Sequence, residues 1–417
     1  MIDLRRLREE PEYRRGIERK QVGEGLLDEV LAADEAHRRL LTEVEDLRAR
    51  QNAASKEIAN ASPDERKARI GAAAALKDEL ATKELALTEA AAALRQLTLQ
   101  VPNPAHESVP DGAEDDAEVV RVVGEPGSAP PLDHAAFGER LGFVETAHAV
   151  ELSGSRFAYL LREAVLVELA LVQWVMGKLA TGGFTPVVPP VLVREQAMEE
   201  AGFFPTDRHQ VYEVDGGELF LVGTSEIPLS GMHRGEILDE ERLPLRYGGF
   251  SSNFRREAGT YGKDTRGIFR LHQFDKVEMF SFAHPDRSWE EHEALLAIEE
   301  SIVGELGLPY RVVSMASGDL GPAAAKKYDI EVWLPSEGRY RELTSCSNYT
   351  DYSARRLGTR LRADGGTRLV HTLNGTACAI GRTLVFLFEH CQRPDGSFTV
   401  PDVLVPLCGF DRVGPRT

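Results

Sequence analysis

Small and hydrophobic residues recur at intervals of three and four positions over two stretches of the first hundred residues, 30–58 and 73–97. This spacing is the heptad pattern of a coiled coil, so each stretch is predicted to form a long helix. Residues 60–65 interrupt the pattern. Within them, Ser62 followed by Pro63 is typical of the start of a second helix, because Ser caps free N–H groups and Pro has no N–H to satisfy.

Two long helices joined by so short a break are expected to fold back on each other as an antiparallel hairpin. At 1.5 Å per residue, about 30 residues give an arm on the order of 45 Å long. The polar residues His37 and Gln51 within the pattern indicate a thin core, which favours a projecting arm. A dimerising coiled coil and two helices of a bundle fit the periodicity as well.

A proline-rich stretch separates this hairpin from a larger domain. Residues 102–150 contain six prolines and an acidic run, a composition that marks a domain boundary. We expect domains at 1–101 and 151–417, with 102–150 as linker and start of the core. An apolar helix is predicted at 158–180. The β-rich runs that follow are 185–193, 218–222, 245–250, 268–282, 310–313, 329–334 and 369–373.

Few of these runs alternate with helices in a regular way, so a doubly wound parallel sheet is not expected. The pattern predicts an α+β protein with an N-terminal helical hairpin and an antiparallel sheet flanked by helices.

The composition is that of an ordinary globular protein. Of 417 residues, 42% are hydrophobic and 28% are charged, which excludes a disordered or collagen-like chain. The longest apolar stretch, 164–180, is interrupted by polar residues, whereas a spanning helix needs about 20 nearly uninterrupted apolar residues. The charged N-terminus does not resemble a signal peptide, and four cysteines without C-x-x-C spacing suit a reducing compartment. We expect a cytoplasmic protein with no membrane association and no zinc.

The net charge of −18 is unevenly distributed. Residues 1–100 have 18 basic and 20 acidic side chains, whereas the rest of the chain has 31 and 47. A local basic stripe binds phosphates even when the total charge is negative, so a nucleic-acid partner is not excluded.

Neither a P-loop nor a G-x-G-x-x-G turn occurs in the sequence, so any nucleotide site has to be built from side chains. The first candidate stretch is 254–278, which is predicted to form two strands joined by a charged loop. Arg255 and Glu257 are two apart and are expected to share one face of the first strand. Arg270, Phe274 and Glu278 are spaced by four and share a face as well. The arginines suit a phosphate, the aromatic ring suits a base, and the carboxylates suit an amine. The alternative to a binding site is a charged hairpin at the edge of the sheet.

Two further stretches contain candidate ligands. In 339–348, Glu342 and Ser345 supply the hard oxygen ligands that magnesium prefers beside phosphates. The alternative interpretation of this stretch is a polar turn without a ligand. In 372–388, the pattern predicts a strand, a glycine turn and an apolar helix with Arg382 near its start. A cation there is unfavourable with the helix dipole unless an anion lies between them.

These three stretches, in this order, resemble the signature motifs of class II aminoacyl-tRNA synthetases, and specifically of the seryl-tRNA synthetase family. Residues 183–193 resemble the first class II motif, 223–226 the serine-recognition loop, 254–278 the second motif and 374–392 the third. The N-terminal hairpin resembles the tRNA-binding arm in place and length. The resemblance therefore extends over nearly the whole chain, and it implies the class II catalytic fold and a homodimer.

The resemblance implies an ATP site with magnesium. Arg255 would hold the α-phosphate, Glu257 would accept from the adenine amino group, and Phe274 would stack on the adenine. Arg382 would cover the other face of the adenine and the γ-phosphate, so that Arg255 and Arg382 are the implied catalytic residues. Glu342 and Ser345 would bind Mg²⁺. The remaining residues of the implied ATP site are Arg256, Arg270, Leu343 and Thr344.

The resemblance also implies a pocket for L-serine. Glu278 would take the serine ammonium, Thr376 would meet the hydroxyl, and Asn374 would support that contact. The implied lining is completed by Thr224, Ser225, Glu226 and Arg255. The implied reaction attaches L-serine to serine tRNA through a seryl-adenylate, with release of pyrophosphate and AMP, and requires no protein nucleophile.

In the family, the arm grips the long variable arm of serine tRNA through shape and phosphate contacts. The basic residues near the distal half of the arm are the candidates for this role: Arg48, Arg50, Lys56, Arg66, Lys67, Arg69 and Lys77.

Residues 376–380 and 389–392 depart from the family pattern, although no implied catalytic group is missing. One hypothesis is a diverged second copy that resists an inhibitor mimicking seryl-adenylate. Further hypotheses are a ligase that passes an activated amino acid to a carrier protein and a non-catalytic RNA-binding paralogue. The presence of the arm disfavours the carrier-protein ligase, and the presence of Arg255, Arg382 and Glu342 disfavours the non-catalytic paralogue.

Overall fold

The computed structural model describes residues 1–259, 264, 266–363 and 365–415. The chain forms two compact units, Met1–Pro102 and Asn103–Thr417. Part of the loop expected within 254–278, namely residues 260–263 and 265, lies outside the described residues.

The first unit is helical. Its helices are α1 (Leu4–Glu9), α2 (Pro11–Glu18), α3 (Leu26–Asn60) and α4 (Pro63–Gln100). Helix α3 has 35 residues and α4 has 38, so both extend beyond the predicted heptad stretches. Between them lie only Ala61 and Ser62, so the chain reverses direction abruptly. The predicted antiparallel hairpin is confirmed.

The hairpin has the thin core that its sequence predicts. Val44 and Leu47 of α3 are buried against Leu80 of α4. Ion pairs connect the two helices on either side of this core, including Lys83–Glu43 at 2.6 Å. Because a single row of apolar contacts buries little surface, the charged pairs and the helical backbone bonds complete the packing of the arm.

The second unit contains an eight-stranded sheet. Its helices are α5 (His134–Leu141), α6 (Ala147–Ser153), α7 (Glu163–Thr181), α8 (Glu195–Ala201), α9 (Glu226–Ser230), α10 (Ser288–Glu305), α11 (Tyr352–Leu357), α12 (Ile380–His390) and α13 (Val405–Cys408). Its strands are β1 (Glu118–Val123), β2 (Val144–Glu145), β3 (Tyr159–Leu160), β4 (Thr185–Val187), β5 (Leu192–Val193), β6 (Glu213–Val214), β7 (Leu219–Leu221), β8 (Ile237–Leu238), β9 (Leu245–Phe254), β10 (Gln273–Ala283), β11 (Tyr310–Ser314), β12 (Lys326–Leu334), β13 (Arg339–Asn348), β14 (Arg360–Ala363), β15 (Gly366–Leu369), β16 (His371–Ala379), β17 (Phe398–Thr399) and β18 (Arg412–Val413).

The strand order of the large sheet is β1-β11-β12-β13-β16-β10-β9-β4. Its strand pairs are antiparallel except for β4 and β9, which are parallel. Helices α7, α10 and α12 supply the main hydrophobic core together with the inward side chains of the strands. The α+β class predicted from the sequence is confirmed, with one parallel edge pair added.

Helix α7 is the one helix in the described part of the chain that is long and apolar enough to meet a membrane-span criterion by composition. Its residues Val167, Leu171, Val175 and Leu179 are buried at helical spacing and belong to the main core. Packing against the sheet therefore accounts for the apolar character of this face of the helix.

Three details differ from the sequence-based expectations. Strand β10 begins at Gln273, so residues 268–272 do not belong to the strand predicted at 268–282. Residues 339–348 form strand β13, and the polar-turn alternative is wrong. The predicted glycine turn is also wrong, because Gly375 lies within the continuous strand β16. Residues 103–150 contribute β1, α5, β2 and part of α6 to the second unit.

Close packing explains the glycine in the middle of β16. A Cβ at Gly375 would lie 2.8 Å from Glu299 Oε1, 3.0 Å from Met279 Cε and 3.1 Å from Cys346 Cβ. Glu299 reaches this point from helix α10. The glycine thus allows the helix to approach the centre of the sheet.

We expect Gly375→Ala to lower the free energy of unfolding by about 1–3 kcal/mol, because the added methyl group overpacks a buried contact. Urea denaturation measures this change. Gly304→Ala in α10 is the matched control, since its Cβ would meet no atom within 4 Å, and a helical Gly→Ala change stabilises by up to about 1 kcal/mol. Equal effects of the two substitutions would contradict this explanation.

Candidate active site

A cavity of about 290 Å³ lies beside the sheet and is bordered by β10, β13, β16 and their flanking loops. Most of the residues singled out in the sequence line it. They are Thr224, Glu226, Arg255, Glu257, Arg270, Phe274, Glu342, Leu343, Thr344, Ser345, Asn374, Thr376 and Arg382. The structure therefore brings together three stretches that are far apart in the sequence.

Three of the predicted residues do not line this cavity directly. Glu278 is fully buried beneath it and contacts the lining residue Asn374. Ser225 is also fully buried, and its hydroxyl donates to the Gly249 carbonyl at 3.4 Å. Arg256 is exposed, and its backbone N–H donates to the Gln210 carbonyl at 2.8 Å.

The alternation of side chains along β10 positions one side of the site. Phe274, Lys276 and Glu278 are two apart and therefore point to the same face of the sheet. Val277 and Met279 point to the opposite face and belong to the main core. Phe274 and Glu278 share a face, as their spacing of four predicts, whereas Arg270 precedes the strand and is not placed by its alternation.

A β-bulge in β13 places the two predicted magnesium ligands on the same side. Thr344 pairs with Ile330 and Glu342 pairs with Glu331, so Leu343 is the extra residue. Residues three apart in a regular strand point to opposite faces. The bulge changes this relation, so that Glu342 and Ser345 both line the cavity.

Arg255 and Glu257 do not share a strand face, because β9 ends at Phe254. Glu257 has a φ of +50°, which belongs to a turn. The Arg255 side chain is held by its Nε, which donates to the Gly223 carbonyl at 3.1 Å, and its guanidinium lies 5.3 Å from the Phe274 ring centre. The carboxylate of Glu257 accepts from Arg270 at 2.5 Å. A turn and two side-chain contacts therefore replace the predicted strand geometry.

Arg382 lies in the first turn of α12 beside a carboxylate. Its Nη1 donates to the Glu342 carbonyl at 3.1 Å and lies 3.2 Å from Glu342 Oε2. Desolvation raises the pKa of Glu342, but the positive charges of Arg382 and Lys327 outweigh it, so the pKa is lowered. The Glu342 carboxylate thus resolves the conflict between Arg382 and the helix dipole.

Two carboxyl groups lie close together at the cavity. The side-chain amide of Asn374 donates to Glu226 Oε2 at 3.1 Å and to Glu278 Oε1 at 3.0 Å. Thr376 Oγ1 lies 3.5 Å from Glu278 Oε2. Burial and the neighbouring Glu278 carboxylate raise the pKa of Glu226 to about 8. The site therefore combines the guanidinium groups described above with a bridged pair of carboxyl groups.

Phe269 and Lys276 are among the lining residues that were not predicted from the sequence. The Arg382 guanidinium lies 5.1 Å from the ring centre of Phe269, and that of Arg341 lies 4.1 Å from it. Lys276 was detectable, since it lies midway between Phe274 and Glu278 at the strand period of two. Phe269 was not, because it precedes the strand and no periodicity applies there.

Two family models match this chain. Residues 210–391 match the class II tRNA synthetase core domain (G, H, P, S and T), which includes most of the cavity lining and defines the class of the protein. Residues 1–105 match the seryl-tRNA synthetase N-terminal domain. The chain belongs to the seryl-tRNA synthetase family.

Individual relatives agree with this assignment. A serine–tRNA ligase from Acidothermus cellulolyticus is 47% identical over the full length of both chains. The crystal structure of seryl-tRNA synthetase from Pyrococcus horikoshii in complex with ATP is 38% identical, covers all of both chains and superposes with a TM-score of 0.93. The cytoplasmic serine–tRNA ligase of Naegleria fowleri, in complex with AMP, is 32% identical with a TM-score of 0.89 and covers 100% of this chain and 99% of its own.

Among the functions considered from the sequence, the matches favour that of a tRNA synthetase. The N-terminal match over residues 1–105 favours a tRNA synthetase over a ligase for a carrier protein. These comparisons give no support to the hypothesis of a diverged, inhibitor-resistant copy.

The raised pKa of Glu226 makes stability depend on pH. Because the folded pKa of about 8 lies above the usual 4.5, the stability associated with the protonated carboxyl is fully present below about pH 4.5 and is lost as the pH rises through 8. We expect Glu226→Gln, which cannot ionise, to gain stability relative to wild type by on the order of 1 kcal/mol per pH unit between pH 5 and 8.

Urea denaturation of both proteins at pH 5.5 and 7.5 measures this difference. The exposed Glu241→Gln controls for the loss of a carboxylate elsewhere. A difference between wild type and Glu226→Gln that does not change with pH would contradict a buried, protonated carboxyl.

Proposed function

We propose that this chain activates L-serine with ATP and transfers it to serine tRNA, with a seryl-adenylate as the intermediate and with release of pyrophosphate and AMP. The observation that supports this most directly is the set of groups gathered at one cavity. Arginines suited to phosphates line it, and the Asn374 amide joins Glu226 to Glu278, a pair of carboxyl groups suited to an ammonium. Such a site aligns a serine carboxylate with the α-phosphate of ATP for in-line attack.

On the ATP side, Arg255 contacts the α-phosphate and Arg382 the γ-phosphate, where they neutralise the charge that develops during transfer. Phe274 stacks on the adenine, and Glu257 accepts from its amino group. The remaining residues proposed for this subsite are Arg256, Arg270, Leu343 and Thr344. The Arg382 guanidinium lies over the Phe269 ring. We propose that Phe269, like Phe274, contacts the bound nucleotide.

On the serine side, Glu278 and Glu226 accept from the substrate ammonium, and Thr376 meets the hydroxyl. Asn374 Oδ1 supports this assignment, because it is buried and has no hydrogen-bond partner among the described residues. A substrate donor would satisfy it. Ser225 and Thr224 shape the loop around this subsite.

Magnesium fits the phosphate side of the cavity. Glu342 and Ser345 offer a carboxylate and a hydroxyl on the same side of β13, and Mg²⁺ in phosphate-transfer sites takes one or two protein ligands together with phosphate oxygens. In the described ranges, no cluster of three or more His, Cys, Asp or Glu side chains suited to a metal occurs. When bound, the ion would neutralise phosphate charge beside Arg382.

We propose residues 1–101 as the tRNA-binding domain, 102–150 as linker and start of the core, and 151–417 as the catalytic domain. Within the arm, Arg48 and Arg69 form ion pairs with Glu84 and Glu57, and Arg50 lies 3.8 Å from Asp46. The basic residues of the set that form no ion pair within the described structure are Lys56, Arg66, Lys67 and Lys77. These four are the better candidates for phosphate contacts.

A homodimer would bury the exposed apolar side chains near the first class II motif. Leu166 and Leu169 of α7 are 47% and 58% exposed, and Val188 is 80% exposed. Exposed apolar side chains that form one patch mark an interaction surface, and we propose that these three belong to the dimer contact.

We propose that the enzyme acts in the cytoplasm.

Pyrophosphate exchange with each amino acid tests adenylation. We expect exchange that depends on serine, and we expect Arg382→Ala to lower its kcat/KM by about 100-fold or more, because a preorganised positive charge is lost. Lys326→Met, which removes a cation outside the proposed machinery, is the control. Absence of exchange with serine in the wild-type protein would overturn the proposed function.

Charging of serine tRNA with and without its long variable arm tests the role of the hairpin. Replacing Lys56, Arg66, Lys67 and Lys77 by Gln is expected to leave serine-dependent exchange unchanged and to reduce charging of the intact tRNA by about tenfold or more at moderate salt. The same variant should charge a tRNA that lacks the variable arm as poorly as wild type does. A loss of charging that is equal for both tRNAs would place the tRNA contacts elsewhere.

A further inference from the structure

Lys276 is a buried cation that the proposed reaction leaves without a role. It lies on β10 between Phe274 and Glu278, faces the cavity and is 7% exposed. Burying an ammonium group is costly unless it is paired and hydrogen-bonded. A hydrophobic side chain would fill the same space without this cost, so the charge itself requires an explanation.

Both polar contacts of the Lys276 ammonium are with residues of the proposed serine subsite. Nζ donates to Thr224 Oγ1 at 2.8 Å and forms an ion pair with the Glu278 carboxylate. Glu278 itself is completely buried. Lys276 thus connects the loop that precedes α9 with the strand that bears Glu278.

The contact with Lys276 determines which hydrogen bonds Thr224 is able to form. A hydroxyl group has two acceptor lone pairs and one proton. Thr224 Oγ1 accepts from Lys276 Nζ and from the Glu226 backbone N–H at 3.3 Å. Its two acceptor positions are therefore filled, and the hydroxyl is left to act as a donor.

The same ammonium offsets the negative charge around Glu278. The charged and titratable groups around this point are Glu278 and Lys276 of β10, Glu226 of α9, Tyr349, Arg255 and, from α10, Glu299. The Asn374 amide bridges Glu226 and Glu278, so the two carboxyl groups are close neighbours. Burial and the Glu278 carboxylate raise the pKa of Glu226, and the Lys276 ammonium lowers it. Lys276 is the cation in direct contact with Glu278.

We propose that Lys276 is a positioning residue for serine recognition: its ammonium holds the Glu278 carboxylate in place through an ion pair and fixes Thr224 as a hydrogen-bond donor, so that both groups are oriented before the substrate binds. The inference rests on the proposed function, since it assigns a task within the serine subsite. Lys276 touches neither ATP nor the reacting atoms in this assignment. It acts through Glu278 and Thr224.

Kinetics of pyrophosphate exchange with the full-length Lys276→Met protein test the proposal. We expect the KM for serine to rise by about tenfold or more, because charge-assisted contacts at Glu278 are lost, while the KM for ATP changes by less than about twofold. A general structural defect would raise the KM for ATP as well as the KM for serine.

A second variant guards against a simple folding defect. Lys276→Ala leaves room for a small cation, so added ethylammonium chloride should restore the KM for serine toward the wild-type value, whereas sodium chloride at the same ionic strength should not. Lys326→Met on β12 is the matched control, and its kinetic constants should equal those of wild type.

The outcomes separate this inference from the proposed function. A wild-type protein without serine-dependent exchange would overturn both. Normal exchange in wild type together with an unchanged KM for serine in Lys276→Met, or with equal rises in the KM for serine and for ATP, would overturn the role of Lys276 alone. A lower KM for serine in the variant would also overturn it, because Lys276 would then compete with the substrate ammonium.

Discussion

The site depends on the strict alternation of side chains along strand β10. One set of alternate residues, which includes Val277 and Met279, is buried in the main core under the helices. The other set places Phe274, Lys276 and Glu278 on the side of the cavity. Because a shift of one residue would exchange the two sets, burial of the apolar set fixes the register and with it the position of each polar group.

Two irregularities adapt this regular framework to its chemistry. The bulge at Leu343 brings Glu342 and Ser345 to one side of β13. A second bulge, at Ala377, separates the pair Val277–Cys378 from the pair Glu278–Thr376. Both lie where ligands are proposed to bind, which agrees with the general occurrence of bulges beside active sites. The regular strands hold the groups rigidly, and the bulges adjust which of them face the ligand.

The electrostatics of the cavity follow from what surrounds each charge. Arg382 and Glu342 form an ion pair, and the positive charges around Glu342 outweigh its desolvation and lower its pKa. Glu226 is shielded from water and lies near Glu278, so its pKa is raised. The same residue type therefore has a lowered pKa beside guanidinium groups and a raised pKa beside another buried carboxyl group.

The sequence alone determined the broad architecture: the heptad spacing predicted the helical hairpin, the irregular order of β-rich runs predicted the α+β class, and three motifs indicated the family. It also identified 13 of the residues that line the cavity, because the motifs concentrate unusual polar groups such as Arg255, Glu342 and Arg382. Only the tertiary structure decided how they meet. The turn at Glu257 and the bulge at Leu343 leave no periodic signal in the sequence, and the place of Gly375 within β16 depends on its close packing against Glu299 of α10. Local periodicity contains no information about such contacts, and for this reason the pairing of Lys276 with Thr224 and Glu278 became visible only in the folded protein.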